Sequence, residues 1–163
     1  MEKIQKLRES FQSLGIDGML VTSDYNRRYM TGFTGSAGMV LISAEKALFI
    51  TDFRYTEQAA KQCEGYEVVL HKGLIQDEVA AQAKNLGIKK LGFEENHVTY
   101  SAYKTFDKGV EAELVPVSGE IEKLRLIKTD SEIKILKEAA AIADAAFTHI
   151  LEFIRPGRTE LEV

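Results

Sequence analysis

The sequence predicts an α/β fold: a mixed β-sheet with helices on both faces at 1–124, then a linker and a long helix at 125–163 that opens a second domain. Three features carry that reading. Apolar stripes at helical spacing alternate with short apolar runs of strand length. Two of those runs, 39–43 and 47–51, are separated only by Ala44, Glu45 and Lys46, a hairpin-length connection that implies an antiparallel pair. Leu-Gly-Ile recurs at 14–16 and 86–88, each time between a helix and a strand, as one turn used twice.

Each element has its own signal. Ile4, Leu7, Phe11 and Leu14 form one apolar stripe over residues 2–14, and Gly15 supplies the left-handed residue that ends a helix. Residues 18–23 read as a short buried strand, followed by strands at 39–43 and 47–51. Residues 53–63 read as a helix with Phe53, Ala60 and Cys63 on its apolar face, closing before Gly65, with a strand at 66–70. Ile75, Val79, Ala83 and Leu86 predict a helix over 75–86 ended by Gly87. A strand at 89–94, a helix at 99–108 and a strand at 112–117, with Pro116 near its end, complete the domain.

Beyond about residue 124 the pattern turns wholly helical. Thr129 and Glu132 form an S/T-x-x-E capping box. Ile133, Leu136, Ala140, Ala143, Phe147, Ile150 and Ile154 then line one side until Pro156-Gly157 stops the helix. Thr159 and Glu162 repeat the capping box, so a further helix is announced and the sequence reads as a piece of a longer protein.

Composition excludes several functions. Hydrophobic residues make up 45% and charged residues 28%, as in ordinary globular chains. The net charge of −4, with Lys and Arg scattered, argues against nucleic acid as a partner. No apolar run reaches the ~18 residues a membrane helix needs. The single cysteine, Cys63, excludes an internal disulfide framework and suits a reducing, cytoplasmic setting.

The residues 29–42, "YMTGFTGSAGMVLI", raise the sharpest question, because glycines at 32, 35 and 38 let the backbone approach something closely. The spacing G-x-x-G-x-x-G before a strand is not the G-x-G-x-x-G that opens a helix, and no Gly-Lys-Ser/Thr is present. Two readings stay open: a tight turn into the 39–43 strand, or a loop kept small so that a ligand or another surface can approach. Asp52, at a strand end ahead of a helix, reads as an N-cap, and Arg54 stands where phosphoaspartate chemistry would need a second carboxylate. His71, His97 and His149 belong to no metal-ligand spacing. Cys63 has no neighbouring cation to activate it, and Ser36 is not in a G-x-S-x-G elbow. No catalytic residue and no metal site can be assembled from these residues.

Three blocks in order, "RYMTGFTGSAGMVLIS", "ALFITDFRYTEQA" and "EKLRLIKTDSEIKILKEAAAIADAAF", resemble the amino-terminal part of the Xaa-Pro peptidases: prolidase, aminopeptidase P and creatinase. The resemblance spans essentially the whole sequence and is nearest to the shorter bacterial Xaa-Pro dipeptidases. It implies a non-catalytic domain of ribonuclease-H-like topology, followed by a pita-bread metallopeptidase domain. There two Asp, one His and two Glu would hold a pair of divalent ions, manganese, cobalt or zinc, all beyond the last residue given. It further implies a homodimer acting on a proline-containing dipeptide or peptide, with this domain near the partner subunit's cleft. In creatinase the corresponding loop supplies an aromatic and an arginine to that site. Matched on the following Gly-Met-Val, the aromatic falls on Phe33 and the arginine on Gly35, which leaves Arg54 as a charge for the same surface. The expectation is thus an inert domain that shapes a dipeptidase, with an interaction module of the same superfamily as the alternative.

Overall fold

The computed structural model describes residues 2–163. The chain divides into two units, with the boundary between Arg125 and Leu126.

The first unit runs α1 (Glu2–Glu9), α2 (Phe11–Leu14), β1 (Gly18–Val21), α3 (Asp24–Thr31), β2 (Met39–Ser43), β3 (Ala47–Thr51), α4 (Thr56–Gln62), β4 (Glu67–Leu70), α5 (Ile75–Asn85), β5 (Lys90–Glu94), α6 (Tyr100–Gly109), β6 (Glu113–Val117) and α7 (Glu120–Leu126), whose last residue crosses the boundary. The six strands lie in the order β4-β3-β2-β1-β5-β6. Only β2 runs against its neighbours, pairing antiparallel with β1 and β3; the other pairs are parallel. All strands but β2 therefore end on one edge of the sheet, and β2 begins there.

Both faces of the sheet are covered, which is why the central strands are apolar throughout. Met19, Val21, Val40, Ile42 and Phe49 point to one core, shared with Ile4 and Leu7 of α1, Met30 of α3, Ala59 of α4 and Ile121 of α7. Their alternates Leu20, Leu41, Leu48 and Ile50 point to the other, filled by Val79 and Ala83 of α5 and Phe106 of α6. Pro116 is tolerated because β6 is an edge strand with β5 as its one neighbour.

The structure corrects the expected elements in four places. The opening helix breaks at Ser10, whose hydroxyl donates back to the Leu7 carbonyl (2.7 Å), yielding α1 and α2. The helix expected at 53–63 starts only at Thr56, so Ala59 and Cys63 face inward while Ala60 is exposed and Phe53 stands 77% exposed. Two helices, α3 and α7, carry no clear apolar period. α3 buries Asn26, Arg27, Met30 and Thr31, a mostly polar face, and α7 buries only Ile121.

In the second unit, α8 (Asp130–Ile150) is shorter than the pattern to 154 suggests. Its capping box is formed, with the Thr129 amide donating to Glu132 Oε2 at 2.9 Å. The Thr159–Glu162 box is formed too, around a single 3-10 turn.

Cys63 is 3% exposed, and burial pushes its thiol up to about 11 from an ordinary 9. The folded chain then keeps the proton where the unfolded chain releases it. The associated stability is complete below about pH 9 and is lost as pH rises toward 11. Urea midpoints should fall across that window more for the natural chain than for Cys63→Ala, and Ellman's reagent should detect the thiol only after denaturation. A thiol that titrates freely in the folded chain would contradict this placement.

Candidate functional site

The glycine stretch leaves α3 and crosses the edge where β1, β3, β4, β5 and β6 end. Its glycines answer to the fold rather than to a phosphate. A Cβ on Gly35 would sit 2.4 Å from the Phe33 ring and 2.9 Å from Tyr55 Cδ1; one on Gly38 would sit 2.5 Å from the Phe49 ring. The loop lies directly on an aromatic shelf, Phe33 tilted on Phe49 at 4.5 Å and edge-on to Tyr55 at 5.6 Å. At Gly32, φ of +75° gives α3 its left-handed end.

Side chains from three elements pin the same loop. Arg27, 4% exposed, donates through Nη2 to the Gly35 carbonyl (2.9 Å) and through Nη1 to that of Gly38 (3.0 Å), while Asp24 pairs with its Nη1 at 2.9 Å. Arg27 Nε is buried without a hydrogen-bond partner, the one such side-chain atom among the described residues. Thr51 Oγ1 donates to the Ala37 carbonyl at 2.8 Å, and Ser36 Oγ shares a hydrogen bond with the Tyr55 hydroxyl at 2.8 Å. From α4, Gln62 Oε1 accepts the Thr34 amide at 3.0 Å. The tight-turn reading of the glycines therefore has a full physical account.

The expected site residues separate accordingly. Phe33 is 1% exposed, so within this chain its ring is part of the core. The pattern hid this, because the small residues around Phe33 look like an exposed loop when they are in fact spacers over its ring. Gly35 is half-buried above it, and Arg54 is exposed. Asp52 does not cap α4; it accepts the Arg54 amide (2.9 Å), Nε (3.0 Å) and Nη2 (2.8 Å), bracing the Phe53-Arg54 turn. The Arg54 hydrogen bonds hold the Asp52 carboxyl below its ordinary range, and Asp52 holds the guanidinium above its own. The guanidinium also lies 5.4 Å over the Tyr55 ring.

Two residues that no motif marks organise the same edge. Glu94, ending β5, is 6% exposed. Its Oε2 accepts the amides of Thr22 (2.6 Å) and Ser23 (2.8 Å), and its Oε1 accepts Asn26 Nδ2 (2.7 Å). It ties β5 to the β1–α3 junction, a contact across some seventy positions that sequence spacing cannot reveal. His97 and Glu94 line a 160 Å³ cavity with Glu120 and Glu122. His71 Nδ1 meets the Gly73 carbonyl at 2.8 Å, and His149 lies on α8. Among the described residues no three His, Cys, Asp or Glu side chains gather as a metal ion would require, so the residues present do not fit a dinuclear centre.

The edge has one further property. Among the described residues of the first unit, the exposed large apolar ones are Tyr25, Phe53, Leu70, Leu74 and Tyr100, each at the end of β4 or in the segment that follows β1, β3, β4 or β5. The strands from β4 to β5 span about 19 Å at normal spacing.

A mixed sheet with one reversed strand thus carries a pinned glycine loop and a row of exposed apolar residues at its carboxyl edge. The chain belongs to the creatinase/prolidase N-terminal domain family, whose profile matches residues 3–127. It is 57% identical over 162 residues to the uncharacterized peptidase YqhT of Bacillus subtilis, covering 99% of this chain and 46% of that protein. The structure of an Xaa-Pro dipeptidase from Bacillus anthracis superposes with a TM-score of 0.97 at 65% identity, covering 99% of this chain and 46% of that one. The N-terminal domain of the cytoplasmic peptidase PepQ from Mycobacterium tuberculosis matches at a TM-score of 0.69 and 35% identity, over 76% of this chain and 98% of that one. The chain thus spans about half the length of the longer relatives it matches. No described helix is long and apolar enough to cross a membrane.

Proposed function

We propose that this chain is the non-catalytic N-terminal part of a cytoplasmic, metal-dependent Xaa-Pro dipeptidase, acting as a homodimer in which its carboxyl edge borders the partner subunit's active site. The observation that carries the reading is the placement, among the described residues of the first unit, of the five exposed large apolar side chains on that one edge, where a monomer would gain nothing by leaving them wet. Residues outside this chain would hold two divalent ions, manganese, cobalt or zinc, and these would activate water and polarise the scissile carbonyl. The edge would limit the space beside a proline-containing dipeptide. Phe53 and Arg54 are its contact residues. Gly35 contributes a low backbone, and Phe33 holds that backbone at its height from beneath.

The test uses the full-length enzyme. Replacing both Phe53 and Arg54 with Ala should lower kcat/KM for Xaa-Pro dipeptides roughly tenfold or more, with bound metal and dimer content unchanged. Both side chains are exposed, and losing the surface Asp52–Arg54 pair should cost little stability, which a urea midpoint of the variant checks. Unchanged kcat/KM would remove the edge from substrate selection. The 163-residue chain alone should release no proline from such dipeptides above a metal-only blank.

A further inference from the structure

The helix α3 holds two distant parts of the first unit with adjacent side chains on different faces. On one face Asn26, 1% exposed, spends all its hydrogen-bonding groups: Nδ2 donates to Glu94 Oε1 (2.7 Å) and Glu122 Oε1 (2.6 Å), and Oδ1 accepts Arg125 Nη1 (3.0 Å). Three residues on, the Tyr29 hydroxyl donates to the Leu124 carbonyl (3.1 Å). Glu122, Leu124 and Arg125 all belong to α7, so this face of α3 grips the segment that ends at the unit boundary. On the next face, turned about 100° by one helical step, Arg27 grips the Gly35 and Gly38 carbonyls. Thr31 Oγ1 receives the Phe33 amide at 3.0 Å and donates to the Arg27 carbonyl at 2.8 Å, tying the start of the loop to the same turn.

An eight-residue helix cannot shift one face without the other, because its backbone bonds make it one rigid piece. We propose that α3 is a coupling element: a displacement of α7 at the unit boundary is transmitted through Asn26 and Tyr29 to Arg27, and so to the glycine loop on the carboxyl edge. Asn26 and Arg27 are positioning residues in this device. The Arg27 guanidinium is shared between Asp24 of the same helix (2.9 Å) and the two loop carbonyls, so it moves with α3 and carries the loop with it.

Amide hydrogen exchange on the 163-residue chain tests this, since it reads local opening under native conditions. The variant Tyr29→Phe/Arg125→Ala loosens α7 and touches no atom of the loop. It should speed exchange of the Phe33 and Thr34 amides on the order of fivefold, relative to Leu20 and Leu41 in the sheet centre. Conversely, Thr34→Ala, which removes contacts to Gln58 and Gln62, should speed exchange of the Lys123 amide in α7, because coupling free energies are reciprocal. If the first variant raises exchange throughout, Tyr29→Phe alone repeats the measurement with a single hydroxyl removed. Change confined to the perturbed segment, in either variant, overturns the proposal.

Discussion

Phe33→Ala should destabilise the chain by about 3–5 kcal/mol, the usual cost of removing a fully buried phenyl ring. The ring is 1% exposed and touches both Phe49 and Tyr55. Its loss also removes the floor on which Gly35 rests, so the glycine loop would lose its height as well as its packing. Urea denaturation of the 163-residue chain measures the change. Phe33→Leu should recover part of the stability, since it refills much of the volume. A loss below about 1 kcal/mol for Phe33→Ala, the range of surface substitutions, would mean that the ring is not core.

Glu94→Ala should be comparably severe, roughly 3–5 kcal/mol, because it strands several buried donors at once. The amides of Thr22 and Ser23 lose their side-chain acceptor, and Asn26 Nδ2 loses one of its two. Glu94→Gln should recover only part, since an amide presents a donor where the carboxylate presents an acceptor, and one of its two oxygens is lost. The same denaturation experiment reads both. If Glu94→Gln matched the natural chain, the carboxylate would be replaceable and the junction between β1, α3 and β5 would be held by packing alone.

The sheet and its principal helices were legible because their signals are local. Val79 and Ala83 turn to the core at the helical period read from α5, and the hairpin between β2 and β3 follows from its three-residue connection. What remained hidden depends on contacts made across the fold. α3 escaped notice because its inward residues Asn26, Arg27 and Thr31 are polar, and only long-range partners make such a face buriable. Glu94 reads as the charged end of a strand until Thr22, Ser23 and Asn26 are brought to it. The burial of Phe33 was hidden for a related reason: the glycines beside it are small so that the loop can lie on its ring. Asp52 looked like a helix cap because the helix start was placed three residues early, and its partner is Arg54 instead.

The central claim, that the carboxyl edge acts on the partner's site rather than on its own, is tested most directly with mixed dimers of the full-length enzyme. One subunit carries an inactivated metal site, so each mixed dimer has one working centre. Phe53→Ala/Arg54→Ala placed on the inactivated subunit should reduce kcat/KM of its neighbour's centre roughly tenfold or more, and placed on the working subunit it should change little. A loss that follows the working subunit's own edge, with none from the neighbour, would contradict the account.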